Sequence, residues 1–146
     1  MRRIEAICIS PGKGTVKETV PVAELRTEHG IVGDAHAGNW HRQVSLLPSE
    51  SIAKVRAQMP DLADGAFAEN LVTSGVDLGG VKVGDKVAIE GGVLLEVTQI
   101  GKECHQGCAI RQITGDCIMP REGIFCRVLS GGRIEPGVSA SLDPSL

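Results

Sequence analysis

Short apolar runs cut by glycine constrain this chain more than any other feature of its sequence. The clearest case is Lys86–Ile89 followed, after Glu90-Gly91-Gly92, by Val93–Ile100. Two β-branched runs so close together, with glycines that supply positive φ between them, predict a β-hairpin. The same grammar recurs along the chain. Strands are predicted at Ile4–Ile9, Thr19–Leu25, Gln43–Leu47, Leu71–Thr73, Phe125–Leu129 and Val138–Leu142, with breaks at Ser10-Pro11-Gly12-Lys13-Gly14, Gly131-Gly132 and Pro136-Gly137. With 19 glycines, no tyrosine, two phenylalanines and one tryptophan, the core must be built from Val, Ile, Leu and Ala. The expected fold is mainly β and barrel-like, with many short strands and one or two short helices.

One helix is predicted. Pro48-Ser49-Glu50 offers an early proline, a capping hydroxyl and an acid in the first turn; Ile52, Val55 and Met59 follow at helical spacing, and Pro60 closes a run of about three turns. A helical turn is possible near Gly65–Glu69, Glu28–Arg42 reads as an ordered loop, and residues 143–146 read as a frayed tail. A length of 146 residues fits one domain, 1–146.

Composition removes several functional classes. Net charge is −3 with no like-charge block, so a basic nucleic-acid face is not expected. No apolar run approaches the roughly 20 residues of a membrane span. The start, Met1-Arg2-Arg3, runs straight into a strand pattern rather than an apolar leader, so a cytoplasmic protein is expected. The five cysteines (Cys8, Cys104, Cys108, Cys117 and Cys126) are an odd set that argues against a disulfide framework.

Three of these cysteines lie within 14 residues. Gly101-Lys102-Glu103-Cys104-His105-Gln106-Gly107-Cys108 follows directly on the Val93–Ile100 strand, where a strand fixes position and a glycine-containing loop leaves backbone amides open. Thiolate is the reactive form of cysteine, and Lys102, His105 or Arg111 would favour it at Cys104. Three readings of Cys104 stay open on local chemistry: a sulfur-carrying nucleophile, a structural zinc ligand with His105, Cys108 and Cys117, or an inert buried thiol. Cys8 and Cys126, inside apolar strands, are read as inert.

A second polar concentration runs from Gly33-Asp34-Ala35-His36-Ala37-Gly38 to Arg42-Gln43-Val44-Ser45-Leu46-Leu47. Asp34 either orients His36 through a ring nitrogen or makes an Asx-type turn beside surface histidines. Arg42 offers a planar fork for phosphate or carboxylate. Asn70, entering a strand, either binds a ligand or caps a backbone group. Arg121, before a strand, and Arg127, within it, make either an anion site or surface ion pairs.

Taken in order and spacing, Gly33–Gly38 with Arg42–Leu47, Ala68-Glu69-Asn70-Leu71, Val97-Thr98-Gln99-Ile100-Gly101-Lys102-Glu103-Cys104-His105 and Met119-Pro120-Arg121-Glu122-Gly123-Ile124-Phe125 resemble the MOSC domain, named after the C-terminal part of molybdenum-cofactor sulfurases, in its short stand-alone bacterial branch. The resemblance covers about Arg3 to Leu142. It implies a β-rich barrel and a role in binding sulfur and the molybdenum cofactor (molybdopterin), molybdenum itself included. It places the family's characteristic cysteine on Cys104.

On that basis the chain is expected to act as a sulfurtransferase module. Cys104 would carry the sulfur as persulfide, with His105 and His36 as proton donors and Arg42, Ser45, Asn70, Lys102, Arg121 and Arg127 around the cofactor. The rival expectations are a non-catalytic cofactor-binding or chaperone module and a zinc-stabilised interaction domain. No pyridoxal-phosphate (PLP) desulfurase site is expected in a chain of this length. The sulfur donor would be a separate cysteine desulfurase or other donor, and the recipient a molybdenum- or tungsten-dependent enzyme. The branch with Pro-Arg-x-Pro-Cys is not matched, since Ile100-Gly101-Lys102-Glu103-Cys104 stands there instead.

Overall fold

The computed structural model describes residues 2–12, 17–62, 64–65, 67, 69–101 and 123–142. Among these residues the chain forms eleven strands and one helix. The strands are β1 (Arg3–Ile9), β2 (Glu18–Thr19), β3 (Ala23–Arg26), β4 (Gly30–Ile31), β5 (Val44–Pro48), β6 (Leu71–Ser74), β7 (Lys86–Ile89), β8 (Val93–Ile100), β9 (Ile124–Ser130), β10 (Gly132–Ile134) and β11 (Ala140–Leu142), and the helix is α1 (Ser49–Arg56). Eight strands make one sheet in the order β11-β7-β8-β9-β5-β6-β1-β2, and β10-β3-β4 form a second. The large sheet curls until β1 meets the segment that leads into β11: Arg3 bridges Ser139, and the Ile4 N–H donates to the Val138 carbonyl at 2.9 Å. The expected barrel-like β fold is present.

The curl encloses an interior of branched aliphatics, among them Ile4, Ile7, Leu46, Leu71, Val87, Leu95, Ile124 and Val128. Outside it, α1 covers a second cluster of Ala6, Leu47, Ile52, Val55, Phe67, Val72 and Phe125. Strands between the two clusters alternate their side chains between them, as β-geometry requires. In β1 the alternation is broken on purpose: Ile4 pairs with Thr73 and Ala6 with Val72, so Glu5 is an extra, bulged residue. That one residue brings Ile7 back to the side of Ile4 and leaves Ala6 under the helix. β5 and β6 are parallel and α1 connects them, a pairing that a tight turn cannot make.

The Lys86–Ile89 and Val93–Ile100 hairpin forms with the predicted limits. Three local expectations need correction. The strand predicted at Thr19–Leu25 is split by Pro21 into β2 and β3, which belong to different sheets. Gly131-Gly132 is not a turn. Gly132 begins β10 opposite Leu25, and a Cβ on Gly131 would stand 2.3 Å from the Leu25 carbonyl oxygen, so the glycine serves a close backbone approach. The helix ends at Arg56 with only single turns to Met59, and its N-cap is Pro48, with no side-chain cap. The Arg56 side chain ties this end of the helix to the turn that follows, donating to the Leu62 carbonyl (2.9 Å) and to Asp64 (2.8 Å). No helix among the described residues is long and apolar enough to cross a membrane.

Candidate functional site around Asp34 and His36

The loop between β4 and β5 carries the densest polar chemistry of the described residues. Asp34 is buried and serves as its hub. Its Oδ1 accepts from the Ser10 backbone N–H (3.0 Å) and from Lys17 Nζ (2.7 Å). Its Oδ2 accepts from Asn70 Nδ2 (3.2 Å) and from the His36 backbone N–H (3.3 Å). Burial pushes the Asp34 carboxyl up, but the Lys17 ammonium, the Ser10 N–H and the Asn70 amide together outweigh it and hold the carboxyl below its ordinary value.

Lys17 is itself buried, 2% exposed. An ammonium has three protons and no acceptor, and here each proton has a destination: Asp34 Oδ1, His36 Nδ1 at 3.0 Å and Ser10 Oγ at 3.4 Å. The expectation that Asp34 itself orients the His36 ring is therefore corrected. Asp34 Oδ2 lies 4.0 Å from His36 Nδ1, and Lys17 occupies the hydrogen-bonding position. His36 lines a cleft of about 390 Å³ formed by residues 35–40, including Trp40, whose indole N–H donates to the His36 carbonyl at 2.8 Å.

Asn70 and Ser45 brace this hub from behind. Asn70 Nδ2 donates to the Cys8 carbonyl (3.0 Å) as well as to Asp34, and Asn70 Oδ1 accepts the Ser45 N–H (3.0 Å). The Asn70 N–H in turn donates to Ser45 Oγ at 3.0 Å. Both residues are buried, and the amide of Asn70 is spent on β1, β5 and Asp34. Glu69 beside it is fully buried and accepts the backbone N–H groups of Gly65 (2.9 Å) and Phe67 (3.0 Å). Desolvation pushes the Glu69 carboxyl up, against the pull of those N–H groups. Gly65, at φ +91°, presses on the Lys17 backbone so closely that a Cβ would stand 2.4 Å from the Lys17 carbonyl oxygen.

The far end of the loop is fastened to β8. In the β8–β9 ladder Val97 pairs with Cys126 and Gln99 with Phe125, so Thr98 is bulged out of register. The bulge lets the Thr98 hydroxyl donate to the His41 carbonyl, and it sets Gln99 Oε1 2.9 Å from His41 Nε2. Two residues further on, the Gly101 N–H donates to the Gly123 carbonyl at 2.7 Å. Arg42 lies over the Trp40 ring (4.8 Å to the centroid) and the Phe125 ring (5.7 Å), with its Nε buried and lacking a hydrogen-bond partner among the described residues. Arg127, by contrast, is ion-paired to Glu96 (2.7 Å) and Glu28 (3.4 Å).

Of the residues singled out in the sequence, His36, Asn70 and Ser45 thus converge on one cluster through Asp34. Arg42 lies further along the same loop, and Arg127 belongs to a separate ion-pair network. Lys102, Cys104, His105, Cys108, Cys117 and Arg121 lie outside the described residues, as does the tail 143–146. Among the described residues no group of three His, Cys, Asp or Glu side chains is placed to hold a metal ion. Cys8 and Cys126 are fully buried, as read from the sequence. Burial, with Glu69 and Asp64 nearby, pushes the Cys8 thiol up to about 12, and burial raises Cys126 as well. Sequence reading missed Lys17 and Ser10, because an isolated lysine before Glu18-Thr19 has the pattern of an ordinary solvated strand residue.

In fold the chain is similar to the YuaD protein of Bacillus subtilis (TM-score 0.78, 22% identity, covering 96% of this chain and 94% of that one). It is also similar to YiiM of Geobacillus stearothermophilus (TM-score 0.70, 21% identity, covering 98% of this chain and 75% of that one). YiiM of Escherichia coli follows at TM-score 0.66 and 20% identity, covering 99% of this chain and 71% of that one. No curated protein matches the chain in sequence. The family model for the MOSC domain matches residues 33–140, a span that takes in Asp34, His36, Ser45 and Asn70 of the hub, the helix and the strands from β5 to β10, and the chain belongs to the MOSC domain family.

Proposed function

We propose that this protein is a sulfur-carrier module for the molybdenum cofactor, a sulfurtransferase in which Cys104 accepts sulfane sulfur from a separate donor as a persulfide and relays it to the cofactor metal, a thiol reductant supplying the two electrons that release it as sulfide and the displaced oxo group leaving as water. The observation that carries this reading is the fastening of β8 to the His36–Arg42 loop by Thr98, Gln99 and His41. Cys104 follows Gly101 by three residues, a reach of at most about 11 Å. Thus the strand that leads to the thiol is held against the loop that carries His36, Trp40 and Arg42.

In this reading the cofactor is the substrate, and the described residues fit an anionic, planar ligand. The cleft beside Trp40 supplies volume and a ring face, and the Arg42 guanidinium, with Nε unpaired among the described residues, supplies a fork for phosphate. Arg121 and Lys102 would add charge from the Cys104 side, and His36 and His105 would serve as proton donors. Ser45 and Asn70 act by holding Asp34, and Arg127 as a strut between strands. A cysteine desulfurase would load the thiol, and a molybdenum- or tungsten-dependent enzyme of the cytoplasm would receive the product. Incubation with a cysteine desulfurase and cysteine, followed by cyanolysis, tests it. Wild-type protein should release sulfur as thiocyanate and Cys104→Ala should not; equal release from both rejects the mechanism.

The unpaired Arg42 Nε also favours a second reading, a non-catalytic module that binds or chaperones the finished cofactor. It predicts cofactor binding unchanged in Cys104→Ala and no sulfur turnover.

A further inference from the structure

We propose that Lys17 is a positioning residue that fixes the tautomer of His36, so that the ring faces its ligand as a neutral hydrogen-bond donor through Nε2. The inference rests on the place given to His36 in the site above and narrows its role from proton donor to neutral hydrogen-bond donor.

The argument is one of proton counting. A ring nitrogen that accepts a hydrogen bond cannot carry a proton, and the state of one nitrogen sets the other. Lys17 Nζ lies 3.0 Å from His36 Nδ1 and has only protons to offer, so Nδ1 accepts and the single proton of the neutral ring sits on Nε2. A carboxylate in the same position would do the opposite. It would accept from Nδ1–H, leave Nε2 as an acceptor and favour the imidazolium. Asp34 is close enough to have been that carboxylate, but its Oδ2 stands 4.0 Å away and its Oδ1 is engaged by Lys17 at 2.7 Å. Lys17 is thereby interposed between acid and imidazole and inverts the polarity of the ring.

The geometry is enforced from several sides. Lys17 Nζ has three acceptors for its three protons, and the close approach of Gly65 to the Lys17 carbonyl pins its backbone. The consequence is chemical selectivity. The atom that meets His36 Nε2 must be an acceptor, such as an oxo, thio or phosphate oxygen group; a donor such as an amine or thiol finds no partner there.

The test is nitrogen-15 NMR of the imidazole in the full chain at neutral pH, which distinguishes the two tautomers and the imidazolium directly. Wild-type His36 is expected as Nε2–H; an Nδ1–H ring or an imidazolium overturns the proposal without recourse to any variant. In Lys17→Met the expected result is a switch to Nδ1–H or imidazolium, as Asp34 Oδ2 becomes the acceptor; retention of Nε2–H in that variant overturns it too. If both spectra behave as expected but His36→Ala relays sulfur at the wild-type rate, the functional role of His36 falls while the tautomer assignment stands.

Discussion

The carboxylate of Asp34 and the ammonium of Lys17 meet at 2.7 Å with side chains 0% and 1% exposed, 17 residues apart in sequence. Breaking such a pair from either side is costly, but the two sides are not equivalent. Asp34→Ala strands the Lys17 charge, the Ser10 N–H and an Asn70 proton together, and is expected to cost about 3–5 kcal/mol. Lys17→Met leaves a carboxylate that still accepts three N–H groups and should cost less, about 1–3 kcal/mol. Urea unfolding of the two variants checks the order; equal or reversed values contradict it.

The two buried acids make opposite contributions to the pH profile. Asp34 is held below its ordinary value of 3.8, so its stabilisation is complete above that value and is lost as pH falls through the folded pKa. Glu69 is raised above 4.5, so the folded state takes up this proton first and stability rises as pH falls toward 4.5. Denaturant midpoints should therefore climb slightly on mild acidification and then drop below the ordinary aspartate range. Glu69→Gln should abolish the climb, and a flat wild-type profile between neutrality and pH 4.5 counts against it.

Glu69→Gln should also lower overall stability. Its two oxygens accept from Gly65 and Phe67, and a glutamine amide would turn an N–H toward one of them. An orphaned buried donor costs about 1–3 kcal/mol. A melting temperature unchanged from wild type would show that the 64–69 loop is not held in this way.

Cysteine reactivity should be sharply divided. Cys8, fully buried with its thiol pushed up to about 12, and Cys126, fully buried, should resist iodoacetamide in the native protein at neutral pH. Cys104 is the thiol expected to alkylate if it carries sulfur. Peptide mass spectrometry after labelling reads both; rapid labelling of Cys8 would contradict the packing of β1.

Arg42 should not be replaceable by lysine. Its guanidinium lies over Trp40 and Phe125 at 4.8 and 5.7 Å, a stacked geometry that a point-charge ammonium does not reproduce. Arg42→Lys is expected to lose about 0.5–2 kcal/mol of stability and to weaken binding of molybdopterin, measured by calorimetry. Full retention of both would remove Arg42 from the site.

Local periodicity made the hairpin, β5, β9 and the existence of α1 legible in the sequence, because each is written within a dozen residues. The Gly33–Gly38 motif also marked the loop that carries the polar hub. The part that was hidden depends on distance along the chain. Nothing near Lys17 announces that Asp34 and His36 will close around it, and Gly131 reads as a turn until Leu25 is known to lie beside it. Asn70 could be read as ligand or brace, and only its contacts with Cys8, Ser45 and Asp34 give it the second geometry.

The hydrogen bond from Gly101 to Gly123 carries a further consequence. It joins the chain on either side of residues 102–122, so β8 and β9 are clasped by backbone atoms alone at the end where the chain leaves the ladder. A clasp between two glycines owes nothing to any side chain, and substitutions within 102–122 are expected to leave the register of β8 on β9 where it is.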